Sequence, residues 1–139
     1  MSLETFWHVQ AALHARLRSH APLTTLLAAG AESVFDHVPP DTPFPYIALG
    51  ELAARPLDTQ TDAAYEIDMT LHAYSQTAGM REAKRIMSAT ADALHSGGLN
   101  VAGHVMVLCR EIESDTRLES DGITRHARMR FRLIVEPTV

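Results

Sequence analysis

Ala63-Ala-Tyr-Glu-Ile-Asp-Met-Thr-Leu-His-Ala-Tyr-Ser75 decides the fold class of this chain. Tyr65, Ile67, Met69, Leu71 and Ala73 fall on one side of an extended backbone, and Glu66, Asp68, Thr70, His72 and Tyr74 on the other. Alternation with a period of two is the signature of a strand whose sheet has one covered and one polar face. The chain closes on the same pattern within Ile123–Glu136: Ala127, Met129, Phe131, Leu133 and Val135 point one way, His126, Arg128, Arg130 and Arg132 the other.

Working outward, Tyr46–Pro56 predicts a strand joined to the first by Leu57–Asp62, a polar stretch too short for a crossover helix and so a projecting hairpin loop. Before it lies Val34-Phe-Asp-His-Val-Pro-Pro-Asp-Thr-Pro-Phe-Pro-Tyr-Ile-Ala-Leu-Gly-Glu51, with prolines at 39, 40, 43 and 45. Proline fixes φ and donates no backbone hydrogen bond, so this connector is neither helix nor mid-sheet. It stiffens the joint between a short strand, Ser33–His37, and the longer one from Tyr46. Further upstream, Ser2 caps a helix to about Ser19 with Leu3, Phe6, Val9, Leu13 and Leu17 as its core stripe, and Leu23–Ala29 reads as a short helix ended by Gly30. Trp7, Ala11, His14 and Arg18 follow the adjoining ridge, where they either frame the core or meet a partner.

Downstream, a helix spans about Gly79 to His95, with Met80, Ala83, Met87, Ala91 and Leu94 on one stripe and Gly97-Gly98 as its stop. Strands follow at Leu99–Val101, His104–Asp115 and Ile123–Glu136, with turns at Gly103 and near Asp121-Gly122. The order ααβββαβββ with hairpin-length connections predicts an α+β fold, residues 1–139 as one domain, helices covering one face of a mostly antiparallel sheet.

Composition narrows the function classes. The 139 residues carry a net charge of −5, which disfavours a general nucleic-acid binder. Lys84 is the only lysine. The single Cys109 excludes an intramolecular disulfide and, inside the apolar run from Val105, reads as a small buried hydrophobe. The N-terminus lacks the basic start and apolar core of a signal peptide, and no apolar run approaches the roughly 18 residues of a membrane span. The expectation is a chain made and first used in the cytoplasm, with no membrane partner.

Chemistry finds little purchase. The eight histidines lack a three- or four-residue repeat on one helix and form no His-Glu-x-x-His motif. Gly97-Gly98 lacks a P-loop lysine, no nucleophile elbow is present, and Glu111 and Glu113 lie beside arginines that keep them ionised. No catalytic residue, metal or cofactor is expected, and a small metal-dependent enzyme stays only as the lesser alternative. Attention falls on Arg128, Arg130 and Arg132, spaced about 6.6 Å along one strand face. Either they pair with acids of the same sheet or they meet acids of a neighbouring subunit. A turn near Leu118–Glu119 would set Glu111 opposite Arg128 and Glu113 opposite His126, with Glu66 and Asp68 completing the network. That register puts Val105, Val107 and Cys109 on the arginine face, which calls for a bulge or for a second subunit over that end. A nucleic-acid module, motivated by the same arginines, is a further alternative.

The Pro22-Leu-Thr-Thr-Leu-Leu segment, the proline-rich Val34–Glu51 stretch, Ile67-Asp-Met-Thr-Leu-His-Ala-Tyr-Ser and Asp121-Gly-Ile-Thr-Arg-His-Ala-Arg-Met-Arg-Phe-Arg occur in an order that resembles the tail completion, or tail terminator, proteins of long-tailed phages and phage-derived gene transfer agents. The resemblance spans residues 3–136. It implies a structural virion protein rather than an enzyme: a homo-oligomeric ring, usually of six, at the head-proximal end of the tail tube. Such a ring ends tail polymerisation, contacts the tube protein and a head–tail connector or stopper, and lets DNA pass without specific binding. Another head–tail connector role is the alternative within that class. The candidate assembly interface comprises Arg128, Arg130, Arg132, Glu66, Asp68, Glu111, Trp7 and Arg18, with Asp58 and Asp62 on the hairpin loop and further acids on Arg117–Gly122. Localisation would be the cytoplasm during assembly and then the virion.

Overall fold

A computed structural model describes residues 3–58, 63–95 and 99–138. The described elements are helices α1 (Leu3–Ser19) and α2 (Ala21–Thr24), a 3-10 turn at Gly30–Ser33, strands β1 (Val34–Phe35), β2 (Tyr46–Asp58) and β3 (Ala63–Ser75), helix α3 (Arg81–His95), and strands β4 (His104–Leu118) and β5 (Arg125–Pro137). The five strands form one sheet in the order β1-β2-β3-β5-β4. Every pairing is antiparallel except the two-residue β1–β2 contact. The α+β class expected from the alternating strands is the class observed.

The core lies between the helices and one face of this sheet. Ile67, Met69, Leu71, Ala127, Met129, Phe131, Leu133 and Val135 are fully or almost fully buried, as are Val9, Leu13 and Leu17 of α1. On α3 the buried set is Ala83, Ile86, Ala89, Thr90, Ala93 and Leu94, so the helix is turned relative to the expected stripe, and Met87 and Ala91 are only half-buried. Alanines at these positions let α3 lie close to the sheet. Arg16 Nε donates to the Ala93 carbonyl at 2.7 Å and fastens α1 to α3.

Three local expectations differ from the structure. Leu99–Val101 is not a strand: Leu99 and Val101 are buried on either side of the exposed Asn100 and plug the core without pairing. The second helix begins earlier and is shorter, because Pro22 sits in its first turn and Thr25 caps it. β4 runs on to Leu118, three residues past the expected end, so Arg117 is in the strand. The Ser2 cap, the Gly97-Gly98 stop and the hairpin tip containing Asp62 lie outside the described residues.

The proline-rich connector brings β1 alongside the start of β2, Val34 opposite Ile47 and Phe35 opposite Ala48. The Ala28 amide donates to the Pro45 carbonyl at 3.0 Å, which ties the connector to the segment after α2. At Gly50, within the β2 bulge, a Cβ would sit 2.7 Å from the Thr70 carbonyl oxygen and 2.8 Å from His72 Nε2. Only glycine lets the two backbones approach this closely.

Candidate assembly surface

The sheet face away from the helices is built by the polar half of each strand's alternation. β3 contributes Glu66, Asp68, Thr70, His72 and Tyr74, and its register with β5 sets Asp68 beside Arg132, Thr70 beside Arg130 and His72 beside Arg128. β2 adds Arg55 opposite Glu66, and β4 adds Asp115 opposite Arg128 and Glu113 opposite Arg130.

Asp68 is the hub. Arg132 donates through Nε at 2.9 Å to one carboxylate oxygen and through Nη2 at 3.2 Å to the other. Arg55 Nη2 donates to Asp68 at 2.9 Å and to Glu66 at 2.9 Å. Glu66 also lies 2.9 Å from Arg132 Nε. Farther along, Arg130 donates to Glu113 at 3.2 Å and Arg128 to Asp115 at 2.9 Å. Four guanidinium groups thus meet four carboxylates, and the lattice has no net charge. The hydrogen bonds from Arg132, with those from Arg55, hold the Asp68 carboxyl below its ordinary pKa against the opposing effect of burial.

At the far end the charges give way to rings. Tyr46 stacks on Tyr74 with centroids 5.2 Å apart, and Tyr74 on His126 at 4.5 Å. His126 is only 7% exposed, and its Nε2 lies 2.7 Å from His72 Nδ1, one imidazole donating and the other accepting. The Glu119 carboxylate sits 2.7 Å from His126 Nδ1, off the line of a hydrogen bond. Burial, reinforced by the neighbouring His126, pushes the His72 pKa down. The loop beyond β4 is shaped by Asp121, whose carboxylate accepts from the Ile123 and Thr124 amides, both at 2.8 Å, ahead of Gly122 at positive φ.

The expected turn near Leu118–Glu119 is displaced, and the register with it. Glu111 faces Phe131 rather than Arg128, and His126 faces Arg117 rather than Glu113. Two bulges in β4, between Met106 and Leu108 and between Glu111 and Glu113, shift the ladder. They turn Met106 and Cys109 toward the core, where each is half-buried. Burial lifts the Cys109 thiol to a pKa of about 11.

Of the candidate interface residues, Arg128, Arg130, Arg132, Glu66 and Asp68 come together. Glu111 is exposed beyond the lattice. Trp7 and Arg18 lie on α1, Trp7 62% exposed and Arg18 paired with Glu32 at 2.6 Å. Asp62 and the Asp58 side chain lie outside the described residues. Arg55, Glu113 and Asp115 belong to the lattice and were not among the candidates; alternation marked the Glu66/Asp68 face, but only register shows which strands flank it. Among the described residues, no group of three or more His, Cys, Asp or Glu side chains is placed to hold a metal ion, and no helix is long and apolar enough to cross a membrane.

The one-sided sheet leaves a charge-cancelled open face, and the class of the protein, a virion structural tail protein, is defined by its matches to known proteins. The chain belongs to the family described as Tail completion protein gp17, which matches residues 11–136. It is 26% identical over 127 residues to the tail completion protein gp17 of Bacillus phage SPP1, covering 91% of each chain. Its fold superposes on a chain from the virion of a native gene transfer agent particle with a TM-score of 0.83, at 27% identity, over 97% of this chain and 99% of that one. The solved SPP1 gp17 protein shares the fold at a TM-score of 0.62 over 96% of this chain and 95% of its own, at 24% identity.

Proposed function

We propose that this tail completion protein acts as a ring, of six subunits by family resemblance, seated at the head-proximal end of the tail tube. The ring ends tube growth and offers its outer surface to the head-side connector. The observation that carries this reading is the near full-length superposition on a chain of an assembled gene transfer agent virion. The bare sheet face supports it, because a subunit built to be surrounded by copies needs surfaces that a monomer would cover.

The charge lattice then serves as a stiff platform. Its arginines are committed to carboxylates of the same chain, so phosphates sliding past meet no row of unpaired cations. In this reading the protein catalyses nothing, and Arg128, Arg130 and Arg132 with Glu66 and Asp68 hold the assembly surface in shape. Trp7, Arg18, Glu111 and the acids of the hairpin loop supply contacts toward neighbours or tube.

Deleting the gene tests the reading. Overlong or undocked tails are expected, and a closed particle near six times 15.3 kDa should be recovered from intact tails by native mass measurement. Tails of normal length on leaking heads would instead assign the chain to the head-side connector.

A further inference from the structure

β4, with 15 residues, is the longest strand and the least covered; none of its residues is buried. It stands at the sheet's edge and pairs only with β5. Each half carries a bulge, between Met106 and Leu108 and between Glu111 and Glu113, but only the second half is defended by charge, through Glu113, Asp115 and Arg117. Val105–Cys109 carries no charge, and Val105, Val107 and Leu108 are 53%, 56% and 36% exposed. An apolar, uncharged edge of this kind is a template for another strand.

The opposite edge is also open. β1 pairs only with Ile47 and Ala48, leaving β2 from Leu49 onward without a neighbour on that side among the described residues. The exposed Trp7, a residue type favoured as an interface anchor, borders this edge and shares a hollow of about 240 Å³ with Leu49 and Ala11. The two edges end the same sheet, so neither can cover the other within one chain. Three antiparallel steps separate β2 from β4, so the two run in opposite directions. A copy rotated into place alongside therefore presents its β4 antiparallel to this β2, the relation the rest of the ladder uses.

Charge and size fix a register. Among the described residues, Arg110 is exposed beside Arg132 with no acidic partner, and Glu51 on β2 is exposed with His72 as its basic neighbour but no arginine or lysine paired to it. With Arg110 opposite Glu51, Leu108 falls opposite Ala53, a large side chain over a small one. Leu108 pairs with Ile134 and Ala53 with Asp68, so both lie on the helix-free face. The same register ends at Pro56, which has no N–H to give.

We propose that the subunit joint is strand addition: β4 of one copy, from Val105 to Arg110, pairs with the free edge of β2, from Glu51 to Pro56, of the next. The joint joins two different patches and so propagates around a ring. It rests on the ring reading above and names its contact.

The test uses particles from producing cells. Ala53→Cys with Leu108→Cys in a Cys109→Ser background should give a ladder of disulfide-linked multimers on non-reducing gels, and either new cysteine alone should give none. Arg110→Glu or Glu51→Arg should each cut incorporation into particles by about tenfold or more, as loss of an interfacial charge pair does. The double charge exchange should restore it. Multimeric protein in terminated tails without a ladder, or with incorporation indifferent to the single charge changes, overturns the strand joint and leaves the ring standing. Protein retained only as isolated subunits overturns both.

Discussion

Asp68→Asn is the most informative single change. The native carboxylate is 8% exposed and accepts from Arg132 and Arg55 at 2.9, 3.2 and 2.9 Å. A hydrogen bond to a charged partner is worth about 1.5–3 kcal/mol in general. Several factors reduce the sum here: the Arg55 and Arg132 side chains are 49% and 28% exposed, Glu66 also engages both, and asparagine keeps one acceptor oxygen. The net loss should be about 2 kcal/mol at neutral pH, or roughly 7 °C in Tm for a domain of this size.

The pH dependence separates charge from packing. The folded carboxyl pKa lies below its unfolded value. Its contribution is therefore fully present above the unfolded pKa, about 3.9, and is lost as pH falls through the lower folded value. Urea unfolding followed by far-UV circular dichroism, run for both proteins from neutral to strongly acid pH, should show the two stabilities converging as pH falls through the lowered carboxyl pKa of the folded chain. A deficit smaller than about 0.5 kcal/mol at pH 7 would mean that the lattice is ornamental. A deficit that persists unchanged in acid would mean that asparagine disturbs packing, and the electrostatic argument would fail.

Two further changes probe the neighbouring ring stack. Gly50→Ala forces a methyl group to 2.7 Å from the Thr70 carbonyl, so it should cost about 1–3 kcal/mol in urea unfolding; a neutral result would show that the bulge relaxes freely. His72 is held neutral by burial and by His126, so protonation favours the unfolded chain, and stability should fall as pH drops below about 6.5. His72→Gln should flatten the unfolding free energy between pH 7 and pH 5, and an unchanged slope would assign that dependence elsewhere.

The strand patterns were legible because they are local. Each residue of β3 and β5 announces its face by its neighbours two positions away, and the α+β class followed. Burial alone did not distinguish a strand from a plug, which is why Leu99–Val101 misled. α3 turned away from its expected stripe because alanine reads as weakly apolar in sequence yet packs closest to a sheet. The arginine row was equally visible. Glu66 and Asp68 were legible as its partners, but the pairing of Asp115 with Arg128 and of Glu113 with Arg130 was not, since it depends on the register of β4 across a turn.

Sequence by itself determined which side chains share a face: period-two alternation is a property of one extended backbone and needs no partner. Tertiary structure alone decided who stands opposite whom. Two bulges in β4 moved every pairing beyond them, and a bulge is chosen by the fit of two strands over a common core. The arginines of β5 were therefore written in the chain, while their neutralisation by carboxylates of β3 and β4 belongs to the fold.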